Sequence, residues 1–132
     1  DQKSNAWIVW CRRDIAPYNP STLVYHGLLY VLYDRGLLAC FNARDGSPVY
    51  SRRRLPNGHA FTSSPWASDG KIFCLNEDGV TSVIRAGSKF EIIRTNRLAE
   101  DDMSMATPAI VGDRLLIRTS VRLYCIQEST QD

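Results

Sequence analysis

Four cysteines, two histidines, two acidic runs, a run of three arginines and three tryptophans are the residues of this chain that could carry chemistry. Cys11, Cys40, Cys74 and Cys125 lie 29, 34 and 51 residues apart, with no Cys-x-x-Cys and no histidine at ligand spacing. A tetrahedral zinc site needs ligands paired on short turns, so these cysteines do not encode one. They read as small apolar side chains on strands, with a disulfide as the alternative. His26 falls in a turn and His59 in a crossing loop, and the sequence places no Ser, Cys or Asp beside either as the partner a general base needs. Asn76-Glu77-Asp78-Gly79 and Glu100-Asp101-Asp102 offer oxygen ligands but lack the spaced pattern of a calcium loop. They read as turn chemistry and a solvated acidic face. No catalytic, metal or cofactor-binding residues are therefore assigned.

Two features point instead to binding. Arg52, Arg53 and Arg54, with Arg12 and Arg13 at the corresponding end of an earlier segment, put positive charge on outer strands. Charge there guards an edge against aggregation, or forms a patch for phosphate or an acidic partner. Trp66 falls on a predicted innermost strand, where a side chain either packs into the core or faces a ligand on a central axis.

The elements that position these residues repeat. From Ser64 to Ile93 the chain reads as a small-residue and Pro entry (Ser64, Pro65), a turn (Asp69, Gly70), an apolar run (Ile72 to Leu75), a turn (Glu77 to Gly79), a run (Val80 to Ile84), a break at Gly87 and a last run (Phe90 to Ile93). That is a four-stranded meander bounded by turn residues. A shift of 43 positions back overlays Ser64 on Ser21, Gly70 on Gly27, Ile72 on Leu29 and Ile93 on Tyr50. A shift of 43 forward overlays Ser64 on Thr107, Pro65 on Pro108 and Ile72 on Leu115, and Tyr50 shifted back lands on Trp7. A fixed period of about 40 to 45 residues with four strands per repeat marks a β-propeller blade. The runs LLYVLY and LLACF are apolar without alternation, which suits strands covered on both faces, as between blades.

The expected fold is all-β: a partial propeller of four-stranded antiparallel meanders in a single domain spanning 1–132. Residues 21–54 and 64–96 form whole blades, 107–127 form three inner strands, and 6–13 form the lone outer strand of a split blade. Closed propellers use about four to eight blades. The chain is then either part of a larger propeller, or one half of a pair in which each copy donates the strand around Trp7 to the other.

With 44% apolar and 23% charged residues the chain can bury a core. A net charge of +2 gives no reason to expect nucleic acid, no apolar run is long enough for a membrane span, and the first 14 residues lack the order of a signal peptide.

YHGLLYVLYDRGLLACFNARDGSPVY, SPWASDGKIFCLNEDGVTSVIRAG and TPAIVGDRLLIRTSVRLYCIQ together resemble the PQQ-like (quinoprotein-type) β-propeller repeat, over nearly all of Trp7 to Gln127. The resemblance implies an aromatic at the Trp7 and Tyr50 positions docking on the next blade's Gly-rich turn, with Ile93 a departure. It also implies a bacterial protein, in the periplasm or secreted. Quinoprotein dehydrogenases of this repeat type hold their cofactor with an adjacent cysteine pair, a stacked Trp and a calcium ion, and no such set can be matched here. The expected function is a non-catalytic scaffold or binding module. Its partner is another protein, the remaining blades of a parent propeller, or a second copy of the chain. The alternative is part of a quinone-dependent oxidoreductase whose cofactor ligands lie elsewhere.

Overall fold

Turn geometry sets the strands. His26 and Gly27 take φ of +49° and +75°, and Asp69 and Gly70 repeat the pair at +46° and +68°. Two left-handed central residues define a type I′ hairpin, whose twist matches that of its strands. In the third repeat only Gly112 is left-handed, at +61°, so the first turn position holds the glycine, as in type II′.

In the computed structural model, which describes residues 5–58 and 60–128, such turns join eleven strands in three antiparallel sheets, with no helix among the described residues. Sheet 1 is the meander β1 (Leu23–Tyr25), β2 (Leu28–Tyr33), β3 (Leu37–Asn42) and β4 (Pro48–Arg54). Sheet 2 repeats it as β5 (Trp66–Ser68), β6 (Lys71–Leu75), β7 (Val80–Arg85) and β8 (Ile92–Arg97). Sheet 3 holds β9 (Ala109–Val111), β10 (Arg114–Arg118) and β11 (Leu123–Gln127).

The ladders keep the register of the repeat. Leu29 pairs with Phe41, Ile72 with Ile84 and Leu115 with Ile126, so the period survives one deletion in the last turn. Hydrogen bonds recur at the same interval. Ala43 N–H donates to Gly27 O at 3.1 Å and Ala86 N–H to Gly70 O at 2.9 Å, while Phe61 N–H reaches Asp34 O at 2.8 Å and Ser104 N–H reaches Glu77 O at 3.0 Å.

Apolar side chains are covered from two sides. Tyr30, Leu32, Leu38 and Cys40 of sheet 1 pack with Ile72, Cys74 and Ile84 of sheet 2. Trp66 and Leu75 of sheet 2 pack with Ile117 of sheet 3. Sheet 2 therefore lies between the other two. On the far face of sheet 1, Leu29, Val31, Ala39 and Phe41 are covered by Trp10 and Ile15. This two-sided burial is why β2 and β3 lack a period-two pattern.

Three expectations are corrected. Residues 6–13, expected as an outer strand, form no strand here; an extended segment needs a neighbour to satisfy its backbone, and no strand among the described residues pairs with it. Cys11 accordingly lies outside any strand and is exposed. The aromatic dock expected at Trp7 is made by Trp10, whose Nε1 donates to Ala43 O at 3.2 Å, while Trp7 is 92% exposed. The last run of the second repeat, expected at Phe90 to Ile93, is a strand only from Ile92 and extends to Arg97. Phe90 precedes it, its ring set edge-on to Tyr50 of sheet 1 at 5.9 Å.

Candidate functional site

Strand alternation disperses the arginine run. Arg52 lies over the Tyr33 ring at 4.2 Å and donates to Asp14 O at 2.9 Å, and Arg54 donates to Arg35 O. Arg53 lines a cleft of about 490 Å3 with Val49, Tyr50, Ser88, Lys89 and Phe90. Arg12 pairs with Asp14, donates to Gly46 O at 2.9 Å and lies over Phe41 at 5.3 Å. The three residues of the run do not share one patch: Arg52 and Arg54 each donate to a backbone carbonyl, whereas Arg53 lines the cleft beside Tyr50 and Phe90.

Trp66 is 7% exposed. Its ring stacks on Phe73, its cross-strand neighbour, at 5.4 Å and 9°. The pair plugs the wedge between sheets 2 and 3, with a cleft of about 190 Å3 under the β9–β10 turn and another of about 190 Å3 beside Leu98 and Ile126. Phe73 covers one face of the Trp66 ring, and Trp66 lines both clefts.

A cluster that the sequence did not reveal ties sheet 3 to the crossing before it. Asp102, expected on a solvated face, is 1% exposed. Arg122 Nη1 lies 2.7 Å from its Oδ1 and 3.1 Å from Asp101 Oδ1, and the Tyr124 hydroxyl donates to its Oδ2. Burial pushes the Asp102 carboxyl up, but the bonds from Arg122 and Tyr124 outweigh it and hold the group below the ordinary carboxylate range. The same contacts raise Arg122, through Asp102 first and Asp101 next, and raise Tyr124. Ser120 N–H to Met103 O at 2.8 Å and Ser104 Oγ to Arg118 O at 3.1 Å add to the joint. Arg122 and Tyr124 stand about twenty residues beyond Asp102, so no local spacing marks the cluster.

Glu77, Asp78, Glu100, Asp101 and Asp102 line a cleft of about 240 Å3. Glu77 accepts from Thr62 and Asp102 is taken by Arg122, and among the described residues no group of three or more His, Cys, Asp or Glu is arranged to hold a metal ion. His26 lies edge-on to Tyr25 at 4.0 Å in its turn; His59 lies outside the described residues. Cys40 and Cys74 are buried, and desolvation pushes the Cys40 thiol up to about 11 and the Cys74 thiol higher still. Cys40 and Cys74 lie on different sheets and so do not form an adjacent cysteine pair.

Exposed apolar side chains occur on sheet 3 and its turn, where Val111, Val121 and Leu123 are 59%, 65% and 69% exposed, and before sheet 1, at Trp7, Val9 and Tyr18. Leu116 and Cys125, cross-strand partners, share the face turned away from sheet 2.

No protein-family model and no curated protein sequence matches the chain. Among solved structures it is similar to BamB from Moraxella catarrhalis, with a TM-score of 0.63 and 18% identity, over 80% of this chain and 32% of that one. It is also similar to the quinohemoprotein alcohol dehydrogenase from Comamonas testosteroni, with a TM-score of 0.61 and 13% identity, over 77% of this chain and 17% of that one. The fold is that of PQQ-like β-propeller blades. The blades do not close into a ring, and the chain spans about a third of the BamB structure and a smaller share of the dehydrogenase. No helix among the described residues is long and apolar enough to cross a membrane.

Proposed function

We propose that these blades are a non-catalytic scaffold that binds a protein partner through an uncovered blade face and edge. The observation that carries this reading is how the side chains are used. Two buried polar side chains join turns and sheets: Asn76 donates to Asn57 O at 2.7 Å and accepts from Val80 N–H at 2.7 Å, and Asp102 holds Arg122. Val111, Val121 and Leu123 of the last sheet and its turn are well exposed, the kind of apolar surface through which a partner can bind. The test is a titration of the chain with pyrroloquinoline quinone and calcium, followed by visible absorbance and dye-linked alcohol oxidation. The scaffold reading expects neither bound quinone absorbance nor oxidation above buffer, and stoichiometric quinone binding sinks it.

A further inference from the structure

We infer that the cleft at the outer rim between sheets 1 and 2 binds an acidic segment of a partner protein, whose carboxylates pair with Arg53 and Lys89 and whose apolar side chain rests on Val49 and Phe90.

Both walls of this cleft belong to consecutive sheets. Sheets 1 and 2 pack face to face, Leu38 and Cys40 from one against Ile72 and Ile84 from the other, so a further blade packs outside the pair and not between its members. At the inner end β1 touches β5. At the outer end the sheets part around a space of about 490 Å3, within the roughly 300–1,000 Å3 of ligand clefts.

An irregularity in β4 aims Arg53 into this space. Cys40 pairs with Tyr50 and Leu38 with Arg53, so three steps along β4 answer two along β3. Residues three apart on a regular strand point to opposite faces. The extra residue instead puts Tyr50 and Arg53 on one face, the face that Leu38 and Cys40 turn towards sheet 2; re-aiming a side chain is what such a bulge does. From sheet 2, the turn before β8 supplies Ser88, Lys89 and Phe90. That turn is held in place. Gly87 N–H donates to the Tyr30 hydroxyl at 2.8 Å, Arg85 N–H donates to Glu91 O at 2.9 Å, and the Phe90 ring meets Tyr50 edge-on at 5.9 Å. A cleft shaped before its ligand arrives spares part of the ordering cost of binding.

Its charge is not compensated. Glu91, the acid of the same turn, gives both carboxylate oxygens to Arg85, and the side chains of Arg53 and Lys89 make no hydrogen bond or ion pair among the described residues. The blade does not itself call for these cations, since the 43-residue shift sets Asn96 at the place of Arg53 and Gly46 at that of Lys89. Two free cations beside half-buried Val49 and Phe90 match a ligand that joins carboxylates to an apolar side chain, rather than a bare anion.

That the ligand is a protein segment rests on the scaffold reading, and the two fail separately. The probe is a short fluorescein-labelled peptide of glutamates flanking one phenylalanine, followed by fluorescence anisotropy. Saturable binding is expected, weaker as salt is raised, and a peptide with glutamine in place of glutamate is expected not to bind. Arg53→Gln and Lys89→Gln are each expected to weaken binding about tenfold with melting temperature unchanged, and Lys89→Arg to keep most of the affinity. Arg94→Gln, on β8 opposite Val83 and outside the cleft, makes the same change in net charge and is expected to leave binding as it was. No saturable binding, an equal loss in Arg94→Gln, or displacement of the peptide by inorganic phosphate or anionic lipid vesicles at matching concentration overturns the inference. Quinone binding with peptide binding intact sinks the scaffold reading alone; peptide binding lost with no quinone bound sinks the cleft alone.

Discussion

The backbone N–H of Ser64 donates to Thr107 Oγ1 at 2.9 Å, and one repeat earlier the N–H of Ser21 donates to Ser64 Oγ at 2.8 Å. The three residues stand 43 apart at the entry to three successive sheets. Ser64 is the middle rung, accepting from the blade before it and donating to the blade after it, so a hydroxyl at this position helps hold adjacent blades in register.

Ser64→Ala removes an acceptor and leaves the Ser21 N–H to water. The position is partly solvated, so the expected loss is at the modest end for a hydrogen bond, about 0.5–1.5 kcal/mol. Urea unfolding checks it: the midpoint falls while the slope stays constant, because the surface exposed on unfolding is unchanged. Ser64→Thr keeps the hydroxyl and is expected to restore most of the midpoint. An alanine variant as stable as the parent would show that the rung contributes nothing.

The blades were legible in the sequence because their signals are local. Asp69-Gly70 needs no distant partner to turn left-handed, and LLYVLY announces two-sided burial by itself. Phe90 shows where that reasoning fails. It looks like part of a strand because it is apolar, but its ring serves the gap between sheets, while β8 is exposed along its length and held by backbone pairing to β7. The arginine run looked like one patch because adjacency in sequence hides the alternation that turns Arg53 away from Arg52. Asp102 looked solvated because the residues that bury it come from a later hairpin. Residues 6–13 looked like a strand, and what the sequence of one chain cannot show is whether a neighbour is present to pair with them.

Gly46→Ala tests the Trp10 dock. Gly46 has φ of +72°, and a Cβ there would lie 2.9 Å from the Trp10 ring. The left-handed backbone alone disfavours alanine by about 1–2 kcal/mol, and the ring must also move. The expected result is a lower melting temperature together with a red shift of tryptophan emission as Trp10 reaches water. Gly27→Ala meets no atom within 4 Å at a similar φ of +75°, so it is expected to destabilise without the red shift. Equal spectra for the two variants would dissolve the dock.

Asp102 gives the fold a particular dependence on acid. Its folded-state pKa lies below the ordinary value of about 3.9, so its contribution is complete above that pH and drains away as pH falls through the folded-state value. The groups facing it are Arg122 and Tyr124, whose own titrations are raised out of this window, and Asp101, which shares Arg122. Asp102→Asn is expected to melt several degrees lower at neutral pH, with a shallower loss of stability below about pH 4 than the parent. Parallel melting curves across that range would mean the carboxylate does not couple to folding.

Thiol reactivity separates the four cysteines by burial. The thiolate is the reactive species, and desolvation holds Cys40 and Cys74 protonated at neutral pH. Cys11 and Cys125 are exposed. With a disulfide-exchange reagent at mildly alkaline pH, Cys11 and Cys125 are expected to react at once, and Cys40 and Cys74 only at the rate of unfolding.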